Sequence, residues 1–499
     1  MRAADAWAST IRAGGRARRG AKLVALDVDH PDVLDFIASK AREERRIRAL
    51  VSTGADVAGV VGEAAFQHTN NAVRVSDEFM RAATEGGDWE LRAVASGRVV
   101  STLPGSVILR ACAESAWECG DPGLQFASTI DAWHTCPNSG PINASNPCGE
   151  YLHVADSACN LATLNLLSFL DEEGAFDVDG FVHAVEVMLL AQDTLVSGSG
   201  YPTPETEANA RRFRQVGLGY SNLAALLLTL GLAYDSDEAR TWASTLTALM
   251  TGAAYRRSAE LAGALGAFEE FERNREPMLA VIERHRDGVR RIPRELAPEP
   301  VLDAAGRAWD EALAAGTEHG YRNAQATLIA PGGTVSLIMD CETTGIEPYL
   351  AFTVVKHLAD GGEMLLRSRA VTDGLLALGY PVAHLEELSV YAADHGHLAG
   401  STLLPHHRQV FQTALGPDPI APSGHLRMVG AVQPFVSGGI SKTVNVPAEA
   451  TVGDVETLFV DAWRLGLKGV TVYRQGSKLR EPIARPAGGA AGPAVTRDR

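Results

Sequence analysis

The sequence NPCGE presents an amide, a thiol and a carboxyl at alternate positions, Asn146, Cys148 and Glu150. In an extended segment these side chains would point to one side, because strand side chains alternate. A thiol can give up a hydrogen atom or an electron pair, a carboxyl can move a proton, and an amide can orient a hydroxyl. Pro147 and Gly149 disfavour a helix and allow a tight turn. The pattern indicates a compact redox and acid–base set, although an isolated NPCGE also fits an ordinary buried cysteine beside a solvated acid.

A second cysteine, Cys159, lies in the segment SACNLATLNLL, whose apolar composition predicts a helix. The interval between Cys148 and Cys159 does not fit a zinc knuckle, which has a Cys-x₂₋₄-Cys pair. His134 and Cys136 could add metal ligands, but the spacing disfavours a zinc site. We therefore predict no metal-binding residues.

The segment APGGTVSLIMD places a Gly-Gly turn between a predicted buried strand, 326–330, and an apolar helix. N–H groups at a helix start, together with two hydroxyls, can hold a phosphate. The predicted cradle comprises Pro331, Gly332, Gly333, Thr334, Val335 and Ser336. Because it lacks the lysine of a P-loop, the segment fits a plain strand-to-helix turn equally well.

The stretch GGRARRGA, which includes Gly14, Gly15, Arg18, Arg19 and Gly20, combines small residues with arginines. Such clusters are usually solvated basic loops. The alternative is a mobile arginine loop that contacts a nucleotide.

The 499-residue chain has 45 basic and 61 acidic side chains and a net charge of −16. An acidic protein does not suit general nucleic-acid binding, and no apolar run approaches the roughly 20 residues of a membrane span. Six cysteines form no disulfide framework, and nothing resembles a secretory signal. We expect a cytoplasmic protein without nucleic-acid or membrane partners. The arginine-rich start also resembles a mitochondrial presequence, but its apolar spacing favours a docked helix ending at Gly14 and Gly15.

Apolar strand patterns alternate with helix starts along most of the sequence. The predicted strands are 23–28 (buried on both faces), 71–75, 326–330 and 468–473, and helices are expected to begin near Asp32, Ser76, Thr203, Ser221 and Thr451. This alternation predicts an α/β fold with a mainly parallel sheet. We expect one large domain over residues 1–483 and a flexible Gly/Pro/Ala-rich tail over 484–499.

Long motifs of this chain, in order, resemble the adenosylcobalamin-dependent (class II) ribonucleotide reductases. They are RARRGAKLVALDVDHPDVLDFI, NNAVRVSDEFM, ACAESAWECGDPGLQFASTIDAWHTCPNSGPIN, NASNPCGEYLH, SACNLATLNLL, ATLIAPGGTVSLIMDCETTGIEPYLAF, AVQPFVSGGISKTVNVP and LGLKGVTVYRQGSKL. The resemblance covers residues 1 to about 483 and is highly specific. It implies a ten-stranded α/β barrel of the ribonucleotide reductase type, with the radical cysteine on a finger loop inside it.

The resemblance also assigns roles by position. It makes Cys148 the residue that becomes a thiyl radical, with Asn146 and Glu150 as hydrogen-bonding and proton-transfer partners of the ribose hydroxyls. Cys159 becomes one of two reducing cysteines. Residues 331–336 become the substrate phosphate cradle, and the loop around Arg18 relays the identity of an effector.

The subclass follows from two departures. Val472 and Tyr473 stand where class I enzymes have two adjacent tyrosines, and the C-terminal tail shows no glycyl-radical motif. The implied cofactor is therefore adenosylcobalamin, although the sequence offers no Asp-x-His-x-x-Gly motif to ligate cobalt. The implied activity is reduction of ribonucleotides, expected to be diphosphates, to 2′-deoxyribonucleotides for DNA synthesis and repair. The implied partners are the ribonucleotide substrate, a nucleotide effector and a thioredoxin-like or dithiol reductant.

Compared with the family pattern, the chain lacks the first barrel strands, the upstream reducing cysteine and the effector-binding helix, and its tail has no cysteine. We therefore expect an N-terminally truncated barrel that works as a homodimer or with an N-terminal partner segment. The alternative is an incomplete or split-gene barrel fragment that binds nucleotide but needs a partner segment for turnover. A third reading is a radical enzyme that modifies a nucleoside without net reduction.

Overall fold

The computed structural model describes residues 1–13, 18–171, 173–357, 363–478 and 483–484. The strands are β1 Arg12–Ala13, β2 Arg18–Arg19, β3 Lys22–Asp27, β4 Thr69–Val75, β5 Asp88–Arg92, β6 Val99–Pro104, β7 Gly123–Phe126, β8 Asn160–Asn165, β9 Val216–Ser221, β10 Thr353–His357, β11 Glu363–Arg367, β12 Thr443–Val446, β13 Gly469–Arg474 and β14 Ile483–Ala484. The helices are α1 Arg2–Thr10, α2 Val33–Ser52, α3 Val57–Glu63, α4 Asp77–Glu85, α5 Gly105–Cys119, α6 Ala127–Ala132, α7 Val178–Gly198, α8 Pro204–Phe213, α9 Leu223–Thr229, α10 Asp237–Leu265, α11 Phe271–Val289, α12 Glu299–His319, α13 Gly333–Ile338, α14 Ala370–Ala377, α15 Val382–His395, α16 Pro422–Val432 and α17 Val452–Arg464.

The central sheet contains two groups of parallel strands. A five-stranded sheet has the order β12-β13-β7-β4-β3, in which β13 and β7 are antiparallel and the other pairs are parallel. Strands β8 and β9 are also parallel. Parallel bridges from Leu218 to Thr327 and from Ile329 to Ile440 extend the pairing from β9 towards β12. One parallel group therefore consists of β3, β4 and β7, and the other of β13 and β12 with the bridges towards β9 and β8. The two groups meet at the antiparallel pair of β7 and β13.

The strands do not close into a barrel within the described residues. Strand β3 pairs only with β4 there, and β8 pairs only with β9, so these two strands border the sheet. The predicted α/β class is confirmed, whereas ten barrel strands are not found. One reason is local: the predicted strand 326–330 forms isolated bridges instead of a continuous ladder.

Two hydrophobic clusters cover the sheet. The larger one includes the buried apolar side chains of α10, where Gly252 lies so close to Trp309 that a Cβ would be 2.9 Å from the indole ring. The smaller one packs α2, α4, α5 and α17 against the five-stranded sheet. Helices that are apolar on several faces, such as α10, are expected to be buried on those faces.

Most predicted starts of helices are confirmed by side-chain caps. Ser76, Thr203 and Thr451 each accept a hydrogen bond from the backbone N–H three residues further on. Thr451 also forms a capping box with Asp454. Strands β3, β4 and β13 confirm three of the predicted strands within one or two residues.

Two local predictions are wrong, and a third is confirmed over a shorter range. The segment after Cys159 was predicted as a helix but forms strand β8, which pairs with β9. Periodicity alone does not distinguish a short buried strand from a buried helix. Strand β3 is half-buried instead of covered on both faces. The apolar run from Ser221 gives only the short helix α9.

The first helix also differs from its prediction. It ends at Thr10 and packs through Asp5 and Ala8, while Trp7 is 65% exposed. The Asp5 carboxylate accepts hydrogen bonds from the N–H groups of Phe66 (2.7 Å) and His68 (2.8 Å). The buried carboxylate of Asp5 therefore attaches this helix to the segment 66–68. The four-residue spacing of apolar residues, which predicted the packed face, does not coincide with the face that is buried.

Candidate active site

The segment 145–152, here called the finger, is a tight turn between two short arms. Ser145 and Leu152 form an antiparallel bridge. The Asn146 N–H donates to Tyr151 O (3.2 Å), and the Tyr151 N–H donates back to Asn146 Oδ1 (3.0 Å). Gly149 has φ of +87°, which favours glycine. The finger is therefore a hairpin-like loop.

The tight turn that Pro147 and Gly149 allow is present, so the extended geometry in which the three NPCGE side chains would point to one side is not formed. Pro147 and the left-handed Gly149 reverse the chain, as their conformational preferences allow. Cys148 is exposed at the tip, whereas Glu150 is only 2% exposed at the base of the turn. The Asn146 side chain supports the loop itself, because its oxygen accepts the Tyr151 N–H.

Three residues outside the finger hold it, one of which is Gln125 on β7, whose Nε2 donates to Ser145 Oγ at 2.7 Å. Asn70 on β4 donates through Nδ2 to Pro147 O at 2.7 Å. The Gly439 N–H donates to Glu150 O at 2.6 Å. A Cβ on Gly439 would lie 2.6 Å from Gly149 O, so only glycine fits this close approach. The position of Cys148 thus depends on three distant parts of the sequence.

Lys468 stabilises the segment 436–438, which precedes the glycine that contacts the finger. Its buried ammonium donates to the carbonyl oxygens of Val436 and Ser437, both at 3.2 Å, and to Gly438 O. Burial lowers the pKa of Lys468 to about 7. Because Gly438 adjoins the glycine that contacts the finger, Lys468 stabilises the surface on which the finger lies.

A cavity of about 580 Å³ joins the finger to the Gly-Gly turn. Pro147, Cys148 and Gly149 line one part of it, and Pro331 and Gly333 line another. The structure therefore brings two of the sequence-predicted sites together. A volume of this size lies within the range of small-molecule sites.

The Gly-Gly turn is stabilised from inside the protein. Gly332 has φ of +58°, and a Cβ there would lie 2.8 Å from Ser336 Oγ. Ser336 is buried, and its hydroxyl forms a 2.8 Å hydrogen bond with Ser221 Oγ. Thr334 and Val335 are exposed. Ser336 thus supports the turn, and its direct contact with a phosphate stays a prediction.

Cys159 precedes strand β8 and is half-buried. Its thiol donates to Asn160 O at 3.4 Å. Burial and the negative charge of Glu150 raise the pKa of Cys159, so the residue is a thiol near neutral pH. Cys159 therefore lies within electrostatic reach of Glu150, although it does not line the large cavity.

Sequence reasoning missed several residues around this cavity. Glu342 follows the Gly-Gly turn, and its 7% exposed carboxylate accepts from Tyr349 Oη (2.6 Å), Ser368 Oγ (2.8 Å) and the Arg369 N–H (3.0 Å). Asn70, Gly439 and Lys468 were also missed. They lie far from NPCGE in sequence, and only their presence in the recognised motifs could have pointed to them.

Cys341 is a buried thiol that lines the same cavity as Cys148. Burial and the charge of Asp340 raise its pKa to about 11. It therefore has little thiolate character at neutral pH.

The predicted effector loop is only partly described. Gly14 and Gly15 lie outside the described residues, as do the side chains of Arg18 and Arg19. The backbone of β2 pairs antiparallel with β1. A Cβ on Gly20 would lie 2.8 Å from the carbonyl oxygen at the end of α1. The effector role stays a prediction.

The remaining metal alternative receives no support from His134. Its Nε2 donates to Gly140 O (2.8 Å), and its Nδ1 accepts from the Cys136 N–H (3.2 Å). In the part of the chain that the structure describes, no group of three or more potential metal ligands is found. Nor does any described helix have the length and apolar character needed to cross a membrane.

Comparison with known proteins defines the family. Residues 1–473 match the family described as "Ribonucleotide reductase, barrel domain". The chain belongs to the ribonucleotide reductase family. It is 44% identical over 493 residues to a protein of Streptomyces coelicolor named vitamin B12-dependent ribonucleotide reductase, covering 97% of this chain and 51% of that one.

Two further relatives show how far the similarity extends. A protein of Rhodopirellula baltica with the same name is 42% identical, with 97% of this chain and 47% of the relative covered. A protein of Mycobacterium tuberculosis named vitamin B12-dependent ribonucleoside-diphosphate reductase is 35% identical, with 98% and 61% covered. The chain thus spans about half the length of the first two relatives.

Proposed function

We propose that this chain forms the catalytic barrel of a cobalamin-dependent ribonucleotide reductase. It would reduce ribonucleotides, as diphosphates, to 2′-deoxyribonucleotides. The observation that carries the proposal is the exposed Cys148 at the tip of a firmly held finger, in one cavity with Pro331 and Gly333. The names of the relatives support both the activity and the cofactor.

In this proposal, Cys148 as a thiyl radical takes the hydrogen atom from C3′ of the ribose and becomes a thiol. Glu150 accepts the proton of the 3′-hydroxyl, Asn146 orients a ribose hydroxyl, and the 2′-hydroxyl leaves as water. Two electrons come from a cysteine pair that closes to a disulfide, with Cys159 as one partner. Cys148 then returns its hydrogen atom to C3′. The position of Glu150 supports its role, because it is buried at the base of the same finger that carries Cys148.

The cavity fits the proposed cofactor to a limited extent. Val354, Leu366 and Val472 give it apolar surface, and Tyr473 lines it where class I enzymes carry one of the relay tyrosines. The described residues that line it include no histidine, so these side chains would hold a corrin by contact and not by a bond to cobalt. When bound, adenosylcobalamin would supply the first radical by cobalt–carbon homolysis.

The remaining sites follow from the same proposal. The turn at 331–336 would hold the substrate phosphates through backbone N–H groups at the start of α13, with Thr334 exposed beside them. The loop that contains Arg18 and Gly20 would relay the identity of a nucleotide effector. A thioredoxin-like protein or a dithiol would reduce the disulfide of Cys159.

The alternative is a barrel fragment that binds nucleotide but needs a further segment for turnover. It is favoured by the open sheet borders at β3 and β8 among the described residues and by the share of the relatives that the chain spans. A strand border with free backbone groups is a ready surface for pairing. Under this alternative, the partner of Cys159 in the disulfide is supplied by the further segment.

One experiment separates the two. The 499-residue chain is supplied with adenosylcobalamin, a ribonucleoside diphosphate and a dithiol, and deoxynucleotide formed per chain is measured. The fragment alternative predicts at most about one equivalent, with multiple turnover only when a further segment of the relatives is added. Many turnovers by the chain alone would refute the fragment alternative. Nucleotide binding without any product under both conditions would refute the reductase.

A further inference from the structure

A second cavity, of about 10 Å³, adjoins the finger. Leu152 and Lys468 line both this cavity and the large one, so the C-terminal arm of the finger lies between the two. The volume is at the lower limit for one water molecule. Its lining also includes the polar side chains of His134, Thr135, His153, Gln325 and Ser437, together with the indole of Trp133.

Most of these polar groups already have protein partners. Lys468 uses its ammonium on three carbonyls, and His134 uses both ring nitrogens on backbone groups. The Ser437 hydroxyl donates to Thr327 O (3.0 Å) and accepts the Thr327 N–H (2.9 Å). The Thr135 hydroxyl donates to a backbone carbonyl at 2.8 Å. None of these four needs a further ligand.

His153 and Gln325 are different. His153 is 4% exposed, and neither ring nitrogen has a hydrogen-bond partner among the described residues. Gln325 is 2% exposed; its Nε2 donates to Val216 O at 3.3 Å, but its Oε1 has no partner there. Burial lowers the pKa of His153 to about 3, so the ring is neutral and offers one donor and one acceptor. Buried polar groups are nearly always paired, with protein or with water.

We propose that the small cavity holds one ordered water molecule that donates a hydrogen bond to Gln325 Oε1 and shares another with the imidazole of His153. Two protein partners meet the minimum for a buried water. Gln325 adjoins the 326–330 segment of the sheet, and His153 belongs to the arm that leaves the finger. The water therefore links the finger to the sheet, in addition to the contacts of Asn70 and Gly439.

Amide hydrogen exchange tests this link without any need for catalysis. Exchange in the peptide that spans the finger is compared between the unmodified chain and the variants His153→Phe and Gln325→Met. Each variant removes one partner of the water, so we expect local opening of the finger to become about fivefold more frequent, as for a lost hydrogen bond. The double variant should exchange no faster than the faster single one, because both act on the same water.

Thr135→Val is the matched control, because it changes a polar group of the same cavity whose hydroxyl already has a protein partner. Its finger exchange should match that of the unmodified chain. Unchanged or slower exchange in His153→Phe would overturn the proposal, since a phenyl ring in a dry cavity relieves an unpaired polar group. If a variant does not fold, a high-resolution crystal structure of the unmodified chain decides: density within hydrogen-bond distance of both groups supports the water, and an empty cavity refutes it.

Discussion

The finger and the Gly-Gly turn border one cavity but are stabilised in different ways. The finger is fixed from outside, by Asn70 on β4 and by Gly439, whose neighbouring carbonyls are bonded by Lys468. The turn is fixed from inside, by the hydrogen bond of Ser336 to Ser221 at the end of β9. Both loops therefore depend on contacts from distant sequence, but the finger is held mainly through its backbone carbonyls, whereas the turn is held through one of its own side-chain hydroxyls.

This difference fits what each loop would do. The finger presents a single sulfur atom, and a reacting atom that is displaced by about 1 Å can lose about 10²-fold in rate. The turn presents several backbone N–H groups to a charged ligand, so small displacements are shared among several contacts. The comparison predicts that changes around the finger reduce the rate of reaction, whereas changes in the turn weaken binding.

The largest expected effect comes from Cys148→Ser. A hydroxyl does not form a comparably accessible radical, so product formation should be abolished while nucleotide binding stays nearly intact. Cys341→Ser is the matched control, because it removes a second thiol from the same cavity. It should leave turnover by the completed enzyme unchanged. Deoxynucleotide formation and nucleotide affinity are measured for both, and turnover by Cys148→Ser would contradict the assignment.

The next largest effect is expected for Glu150→Gln. The amide keeps the size of the side chain but cannot accept a proton, so the rate should fall by about 10²–10⁴. The pKa of Cys159 should also fall, since the neighbouring negative charge that raises it is gone. Single-turnover rates and the pH dependence of thiol alkylation measure the two effects. An unchanged rate would mean that another group moves the proton.

The sequence was sufficient for the parts of the site that are contiguous. NPCGE and PGGT each contain their own turn residues, and the family resemblance placed them in one active site. It did not reveal what holds Cys148, because Asn70, Gly439 and Lys468 lie on separate segments that meet only in the fold. A contact between chain segments has no local periodicity, so no pattern within a short window reports it.

The errors in secondary structure have a related cause. The run after Cys159 is as apolar as a buried helix, and its strand pairing with β9 is a tertiary contact that overrides local preference. In NPCGE the alternation of side chains would place the three groups on one side only in an extended segment, whereas the positive φ of Gly149 reverses the chain, as the turn residues allow. Closure of the barrel was inferred only from the family, and the described strands do not show it.

A matched pair of glycine variants tests the comparison directly. In Gly439→Ala, the new Cβ would meet Gly149 O at 2.6 Å, so the finger must move. In Gly333→Ala, the new Cβ meets no atom within 4 Å apart from its chain neighbours and the backbone of its own helix. We expect Gly439→Ala to reduce the rate about 10²-fold and to speed amide exchange in the finger. Gly333→Ala should leave finger exchange unchanged, and equal effects of the two variants on exchange would contradict the comparison.

A smaller effect is expected from the pH dependence of Lys468. Because burial lowers its pKa to about 7, the unfolded chain binds more protons than the folded one above that pH, up to the ordinary lysine value. The free energy of unfolding should therefore rise with pH in this window, by at most about 1.4 kcal/mol per unit. Lys468→Met removes this contribution, so its stability relative to the unmodified chain should fall as pH rises. A constant difference in urea titrations would mean that the three carbonyls keep the ammonium charged.

The smallest effect is expected in the turn, from Ser336→Ala. The lost hydrogen bond to Ser221 should cost about 1 kcal/mol of stability, because Ser221 Oγ still accepts the Gly345 N–H at 3.1 Å. A looser turn should raise the KM for the nucleotide a few-fold and leave kcat unchanged. Ser221→Ala removes the same support from the other side and should raise KM by a similar factor if Ser336 acts only as a support. If Ser336 instead binds the phosphate directly, only Ser336→Ala should weaken nucleotide binding strongly. The KM of Ser336→Ala would then be clearly higher than that of Ser221→Ala.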